Sequence, residues 1–121
     1  LGLENKIIMP GFVENPYKWM RNAHVFVLSS TREGLPNSLI QAMACDVPVI
    51  STNCESGPAE ILEWGKWGKL IRVNDQKELT NAINEKINDM KKISTIKRSQ
   101  NFNVDSSVNK YLSLFELNRF K

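Results

Sequence analysis

Short apolar runs alternate with longer helical patterns along this chain, and that alternation is the strongest constraint on its fold. Each run is too short for an ordinary helix and is rich in β-forming residues, which predicts a buried strand. The predicted strands are Lys6–Met9, Val25–Leu28, Val47–Ser51 and Lys69–Val73. Strands that alternate with helices predict an α/β domain, with a parallel sheet covered by helices on both faces. Ligands bind at the carboxyl ends of such strands, so we expect a site in the loops after the second and third runs.

The segments between and after these runs have the patterns of helices. The predicted helices are Pro16–Ala23, Ser38–Cys45, Ala59–Trp64, a segment capped by Asn74–Asp75 with apolar positions up to Met90, and a last helix capped by Asp105–Ser107. Ser38–Cys45 is apolar nearly all round, which is typical of a helix buried in a larger protein. Asp46 follows it and tolerates the left-handed conformation common at that position. We expect Trp64 and Trp67, which flank a glycine turn, to pack.

Composition limits the classes of function open to the chain. Its 121 residues (13.8 kDa) fit one domain, and its net charge of +3 does not require a nucleic-acid partner. No apolar run reaches the roughly 20 residues of a membrane-spanning helix, and the first residues lack the pattern of a signal peptide. With His24 as the one histidine and two cysteines that form no CxxC pair, a metal cluster is not expected. We therefore expect a cytoplasmic chain that binds neither metal nor nucleic acid.

The loop before the buried helix has residues that suit an anion. Gly34 permits close approach of a ligand to the backbone because it has no side chain. The first N–H groups of a helix have no partner within the helix, and with the helix dipole they favour a negative charge. Glu33 would repel a phosphate, so accepting hydrogen bonds from hydroxyl groups suits it better. A phosphate site beside a carboxylate is suited to a sugar nucleotide.

A purely local interpretation of the same residues is also open. Ser38-x-x-Gln41 has the form of a capping box, in which Gln41 reaches back to the start of its own helix. Asn37 or Ser38 would then be the N-cap, and Glu33 would be a solvated loop acid. The residues alone leave both interpretations open.

Three separated motifs, taken together, resemble one enzyme family. They are Pro10–Phe12, the continuous run Val25–Thr52 and Ser56–Leu62, in this order. They resemble the donor-binding half of family 4 retaining glycosyltransferases, which are group 1 glycosyltransferases. The resemblance implies a GT-B fold, in which two Rossmann-like domains face each other across a cleft. Residues 1–121 would be a partial C-terminal nucleotide-sugar-binding domain truncated at its N-terminus, and without the N-terminal domain we do not expect this chain to catalyse transfer.

The resemblance also assigns roles to individual residues. The family has two glutamates separated by seven residues, and the first falls on Glu33, the predicted catalytic residue, which would contact hydroxyls of the donor sugar. The donor sugar and diphosphate would be held by one continuous segment, namely Glu33, Gly34, Leu35, Pro36, Asn37, Ser38 and Leu39. The second glutamate position holds Gln41, which would contact the ribose, and Val13 would border the base. Because a neutral amide accepts weaker hydrogen bonds than a carboxylate, Gln41 predicts weaker donor binding.

The implied reaction is transfer of a hexose or N-acetylhexosamine from a nucleotide sugar, with UDP as the favoured nucleotide and with retention at the anomeric carbon. No cofactor or metal is implied, because positive side chains and helix amides stabilise the leaving diphosphate. The acceptor would be a glycan or a lipid-linked sugar in surface polysaccharide synthesis. We expect this chemistry in the cytoplasm. We also expect the protein to associate peripherally with the inner face of the membrane.

Two alternatives belong to other functional classes. The first alternative is a catalytically degenerate domain with a binding or assembly role. It is motivated by Gln41, which stands where the family usually has glutamate. A dinucleotide-dependent oxidoreductase shares the fold type, but no GxGxxG motif follows a predicted strand.

Overall fold

The computed structural model describes residues 2–89 and 93–118, with side chains described as far as residue 115. Helices and strands alternate along it as the sequence predicts. Their order is α1 (Tyr17–Asn22), β1 (Phe26–Leu28), α2 (Asn37–Ala44), β2 (Val49–Thr52), α3 (Pro58–Ile61), β3 (Lys69–Ile71), α4 (Gln76–Asn88), α5 (Ile96–Ser99), a 3-10 turn (Gln100–Phe102) and α6 (Val104–Asn118).

The described strands form one parallel sheet in the order β1-β2-β3. Val27 lies opposite Ile50, and Ile50 lies opposite Lys69. All four residues of the central strand β2 are buried. Pro48 precedes β2, as expected for a residue that cannot donate to the ladder, and its carbonyl accepts a hydrogen bond from Phe26 N–H at 2.8 Å.

Helices cover both faces of this sheet, as predicted. On one face the strands contribute Phe26, Leu28, Val49 and Leu70 to a core that includes residues of α2 and α3. The buried residues of that core are Leu39, Ala42, Met43, Val47, Val49, Ile61 and Leu62. On the other face, Val27, Ile50 and Ile71 pack with apolar residues of α4. Successive strand residues thus point to opposite faces, which explains why the strands read as continuous apolar runs.

The prediction of a strand at Lys6–Met9 is wrong. The structure assigns no strand there, and Ile8 and Met9 are 74% and 89% exposed. The physical reason is that a strand forms only against a partner, and β1 pairs with β2 alone among the described strands. An apolar run is therefore a necessary signal of a buried strand but not a sufficient one.

The caps predicted for α4 and for the last helix have different outcomes. Asp75 caps α4, because its Oδ1 accepts a hydrogen bond from Glu78 N–H at 2.8 Å. The predicted cap of the last helix is wrong, since α6 begins at Val104 and Asn103 Oδ1 accepts from Ser106 N–H at 2.6 Å. Residues 105–107 instead occupy the first turn of α6. Met90, predicted on the apolar side of α4, lies outside the described residues.

The turn that links α3 to β3 is organised around Glu63. Its carboxylate accepts hydrogen bonds from Trp67 Nε1 at 2.9 Å and Lys66 Nζ at 3.0 Å, and pairs with Arg98 at 3.2 Å. Trp67 also packs against the core, as predicted, whereas Trp64 is 82% exposed and the prediction that it packs is wrong. The Trp67 N–H first, and then Lys66 and Arg98, hold the pKa of Glu63 below its ordinary value of 4.5.

These contacts predict a pH-dependent contribution of Glu63 to stability. A carboxylate whose folded pKa is lowered stabilises the fold above its unfolded pKa, and this contribution is lost as the pH falls through the folded pKa. We expect Glu63→Gln to lower the free energy of unfolding at pH 7, and the difference from wild type to shrink as the pH falls below 4.5. Urea titrations at several pH values measure this difference.

Glu60→Gln is the matched control, because it removes an exposed carboxylate from α3 three residues earlier. It should leave the free energy of unfolding at pH 7 within about 0.5 kcal/mol of wild type, as is usual for a surface substitution. A Glu63→Gln difference that stays constant down to pH 3 would contradict the role assigned to this carboxylate.

Candidate functional site

The loops after β1 and β2 touch at the carboxyl edge of the sheet. Gly57 has a φ of +87°, which favours glycine, and its backbone lies directly against the loop after β1. A Cβ atom at Gly57 would lie 2.5 Å from the carbonyl oxygen of Gly34 and 2.6 Å from Cδ of Pro36. Only glycine fits there without displacing the neighbouring loop.

Glu33 lies in the first of these loops and is held by a hydrogen bond. It is half-buried, and its Oε1 accepts from Ser30 Oγ at 2.6 Å. The carbonyl of Ser30 in turn accepts from Oγ1 of Thr52, the last residue of β2, at 2.5 Å. Glu33 is therefore not a freely solvated loop acid, which removes one part of the local interpretation.

The other part, the capping box, is also absent. Pro36 occupies the N-cap position of α2 with a φ of −72°, and no side chain caps the helix. The fixed φ of proline starts the helix at Asn37, so Ser38 already lies inside the first turn. The prediction that Asn37 or Ser38 caps this helix is therefore wrong. Without a capping side chain, N–H groups of the first turn are available to a ligand.

The remaining predicted site residues follow this loop into α2. A Cβ atom at Gly34 would meet no protein atom within 4 Å, so open space lies beside its backbone. Leu39 is fully buried, and its N–H donates to the Pro36 carbonyl at 3.0 Å, so its contact with the donor stays a prediction. Asn37 and the half-buried Gln41 are four residues apart and lie on the same side of the helix, away from Leu39 and Met43.

The structure places most of the residues assigned to the donor site in one continuous segment, whereas Val13 lies in another part of the chain. The continuous segment of Glu33, Gly34, Leu35, Pro36, Asn37, Ser38 and Leu39 forms the loop and the first turn of α2. Val13 is half-buried and lies in the segment before α1. Helix α1 packs beside α2. The contact of Val13 with a base stays a prediction.

The far end of α2 is fixed by Asp46. Its φ of 60° confirms the predicted left-handed conformation after the helix. Its Oδ1 accepts a hydrogen bond from Thr95 N–H at 3.0 Å, and Thr95 Oγ1 donates to the Met43 carbonyl at 2.8 Å. These contacts anchor the end of the helix remote from the loop of Glu33.

Sequence reasoning missed Ser30 and Thr52. A hydroxyl three residues before an acid is a pattern that the sequence does contain at Ser30 and Glu33. The contact between Thr52 and Ser30 joins residues 22 apart, and no local pattern indicates it.

The described part of the chain shows neither a metal site nor a membrane-spanning helix. Within residues 2–89 and 93–118, no group of three or more His, Cys, Asp or Glu side chains could hold a metal ion. Both cysteines, Cys45 and Cys54, are free. No helix among those residues is long and apolar enough to cross a membrane. The expectation of a reaction without metal or cofactor stays a prediction.

Comparison with known proteins identifies the class to which this fold and loop belong. The profile of the family described as glycosyl transferases group 1 matches residues 1–89. The chain therefore belongs to the group 1 glycosyltransferases, and the resemblance drawn from its motifs is confirmed.

Individual relatives agree with this assignment. The chain is 36% identical over 99 residues to an uncharacterized glycosyltransferase of Methanocaldococcus jannaschii (71% of this chain, 24% of the relative). It is 33% identical over 91 residues to the N-acetylgalactosamine-N,N'-diacetylbacillosaminyl-diphospho-undecaprenol 4-alpha-N-acetylgalactosaminyltransferase of Campylobacter jejuni (75% and 25%). It is 34% identical over 83 residues to the capsular polysaccharide biosynthesis glycosyltransferase CapM of Staphylococcus aureus (69% and 22%). The chain thus spans about a quarter of the length of these relatives.

A solved structure shares the fold. The crystal structure of Anabaena HepE in complex with UDP superposes with a TM-score of 0.80 at 30% identity, over 93% of this chain and 33% of the other. The parallel α/β architecture is therefore that of a known nucleotide-binding relative.

The close approach at Gly57 generates a prediction. Gly57→Ala should push the Gly34–Pro36 segment out of place, because the added Cβ would overlap backbone and proline atoms. With UDP, the ligand of the matching crystal structure, as the probe, we expect binding to the full-length protein to weaken about tenfold or more, a loss of ~1.4 kcal/mol. Isothermal titration calorimetry with UDP measures it.

Gly68→Ala is the control at the opposite edge of the sheet, before β3. Its Cβ would lie 2.5 Å from Cγ2 of Val49, an equally tight fit. It should lower stability by about 1–3 kcal/mol and leave UDP affinity unchanged in the folded protein. Equal loss of UDP affinity in both variants would mean that the Gly57 effect is general destabilisation.

Proposed function

We propose that this chain is the nucleotide-sugar-binding part of a retaining glycosyltransferase. The observation that carries the proposal is the uncapped start of α2, four residues after Glu33, whose carboxylate is held by Ser30, in a fold that matches a UDP complex over 93% of the chain. In this proposal N–H groups at the start of α2 bind the diphosphate, and open space beside Gly34 admits it.

Glu33 is the catalytic residue of the proposal. Its carboxylate accepts hydrogen bonds from hydroxyls of the donor sugar and orients the anomeric carbon for transfer with retention. The leaving diphosphate is stabilised by N–H groups and the dipole of α2, together with basic side chains, and no metal takes part.

Gln41 contacts the ribose, and Val13 borders the base. Gln41 lies one turn beyond Asn37 on the same side of α2, so the ribose would follow the diphosphate along the helix. UDP is the proposed nucleotide, supported by the UDP in the matching crystal structure.

The names of the relatives support the substrate class. Two of them act, by name, in capsular polysaccharide biosynthesis and on a diphospho-undecaprenol-linked sugar. We propose that the protein transfers a hexose or N-acetylhexosamine to a glycan or lipid-linked acceptor in surface polysaccharide synthesis. It would act in the cytoplasm. It would also associate peripherally with the inner face of the membrane. The acceptor would bind an N-terminal domain of the same protein, without which this chain is inactive.

Removal of the Glu33 carboxylate tests the donor site. We expect Glu33→Ala in the full-length protein to weaken UDP-sugar binding about 10- to 100-fold, because a charge-assisted hydrogen bond contributes roughly 1.5–3 kcal/mol. UDP binding should stay within about twofold of wild type, since Glu33 contacts the sugar alone. Calorimetry with UDP and a panel of UDP-hexoses and UDP-N-acetylhexosamines measures both affinities.

Glu55→Ala provides the matched control, because Glu55 is an exposed acid in the neighbouring loop after β2. It should change neither affinity. If Glu33→Ala binds every UDP-sugar of the panel as tightly as wild type, the proposed role of Glu33 is wrong.

Gln41 motivates the second candidate function, a degenerate domain with a binding or assembly role. If the site is active, Gln41→Glu should tighten UDP binding several-fold, because a carboxylate accepts stronger hydrogen bonds from the two ribose hydroxyls. Transfer from UDP-sugars by wild type and variant is measured alongside. Absence of turnover by both forms, across a broad donor panel, would favour the degenerate domain.

A further inference from the structure

We propose that Ser30 and Thr52 are positioning residues, which set the orientation of the Glu33 carboxylate toward the donor sugar. This inference rests on the proposed function, because it concerns how the residue assigned to the sugar is held. Neither residue belongs to the motif positions that the family resemblance assigns to the donor.

The contact between Ser30 and Glu33 fixes one carboxylate oxygen. Ser30 Oγ donates to Oε1 of Glu33 at 2.6 Å, a short hydrogen bond of the kind that an ionised acceptor makes. A serine hydroxyl carries one proton, so this bond uses its donor capacity. Ser30 therefore acts through Glu33 and does not itself donate to a ligand.

The second oxygen, Oε2, is left for the sugar. Within the described residues, no hydrogen bond is found to Oε2 of Glu33. A carboxylate accepts through both oxygens, and restraint of one fixes the plane in which the other presents its lone pairs. The conformational entropy of the long glutamate side chain is thereby lost on folding, before the ligand binds.

Thr52 connects this arrangement to the sheet. It is 4% exposed and ends the fully buried strand β2. Its hydroxyl lies 2.5 Å from the Ser30 carbonyl and 3.4 Å from the Leu28 carbonyl, so it bridges the two strand ends. Since the threonine is buried, it does not itself contact a ligand, and its hydroxyl reaches the loop of Glu33 through the Ser30 carbonyl.

The experiment compares matched variants of the full-length protein. Ser30→Ala removes the hydroxyl, and Ser30→Thr retains one. We expect Ser30→Ala to weaken UDP-sugar binding about five- to tenfold and to leave UDP binding unchanged, with Ser30→Thr within about twofold of wild type. A purely structural role would weaken UDP and UDP-sugar alike, and that outcome would overturn the inference.

A double-mutant cycle tests whether Ser30 acts through Glu33. In the Glu33→Ala background, Ser30→Ala should cause no further loss of UDP-sugar affinity, because the group it positions is gone. Additive losses would show that Ser30 acts independently and would contradict the proposal.

Variants of Thr52 provide a second test that does not require substitution of Ser30. Thr52→Val removes the hydroxyl at nearly constant volume, and Thr52→Ser retains it. Provided that thermal unfolding shows Thr52→Val to be folded, it should reproduce the selective loss of UDP-sugar affinity, and Thr52→Ser should not. Unaltered UDP-sugar binding by folded Thr52→Val would remove Thr52 from the proposal.

These outcomes separate the inference from the proposed function. If Glu33→Ala does not weaken UDP-sugar binding, the assignment of Glu33 fails, and the positioning role fails with it. If Glu33→Ala weakens it and Ser30→Ala does not, the donor site stands and only the positioning role is wrong.

Discussion

The central strand β2 is the constraint on which the rest of the structure depends. It is paired along both edges, and its residues pack alternately against α2 and α3 on one face and α4 on the other. A strand buried in this way has no water for its backbone N–H and C=O groups, so pairing with β1 and β3 is obligatory. That requirement fixes where the carboxyl ends of β1 and β2 lie relative to one another.

The positions of those two strand ends set the geometry of the candidate site. Thr52, the last residue of β2, holds the loop after β1 through the Ser30 carbonyl, and Ser30 holds Glu33. The loop after β2 then returns and places Gly57 against Gly34 and Pro36. A loop at the surface thus obtains a defined conformation from a buried strand, as a site needs if it is to be formed before its ligand arrives.

Most of the fold could be predicted because the pattern of apolar residues indicates which segments are buried. The strands of this sheet are such buried segments. The same signal failed at Lys6–Met9, where an apolar run has no strand to pair with among the described residues. The cap of α2 was missed for a different reason, since Pro36 sets the helix start through its fixed φ and displaces Ser38 from the cap position. The continuous segment from Glu33 to Leu39 could be named from its motif, whereas the Thr52–Ser30 contact required the tertiary structure.

Helix α2 shows how one element serves both core and site. Leu39, Ala42 and Met43 are buried and fix the rotation of the helix about its axis. Asp46 and Thr95 anchor its end, so that the helix can neither slide nor turn without breaking buried contacts. Asn37 and Gln41 are left on the opposite side, one turn apart. In the proposed donor site, a ligand bound at the uncapped start of α2 and extending along its open side would next meet the side chain of Gln41, so the core places this residue where a change of side chain would alter donor affinity.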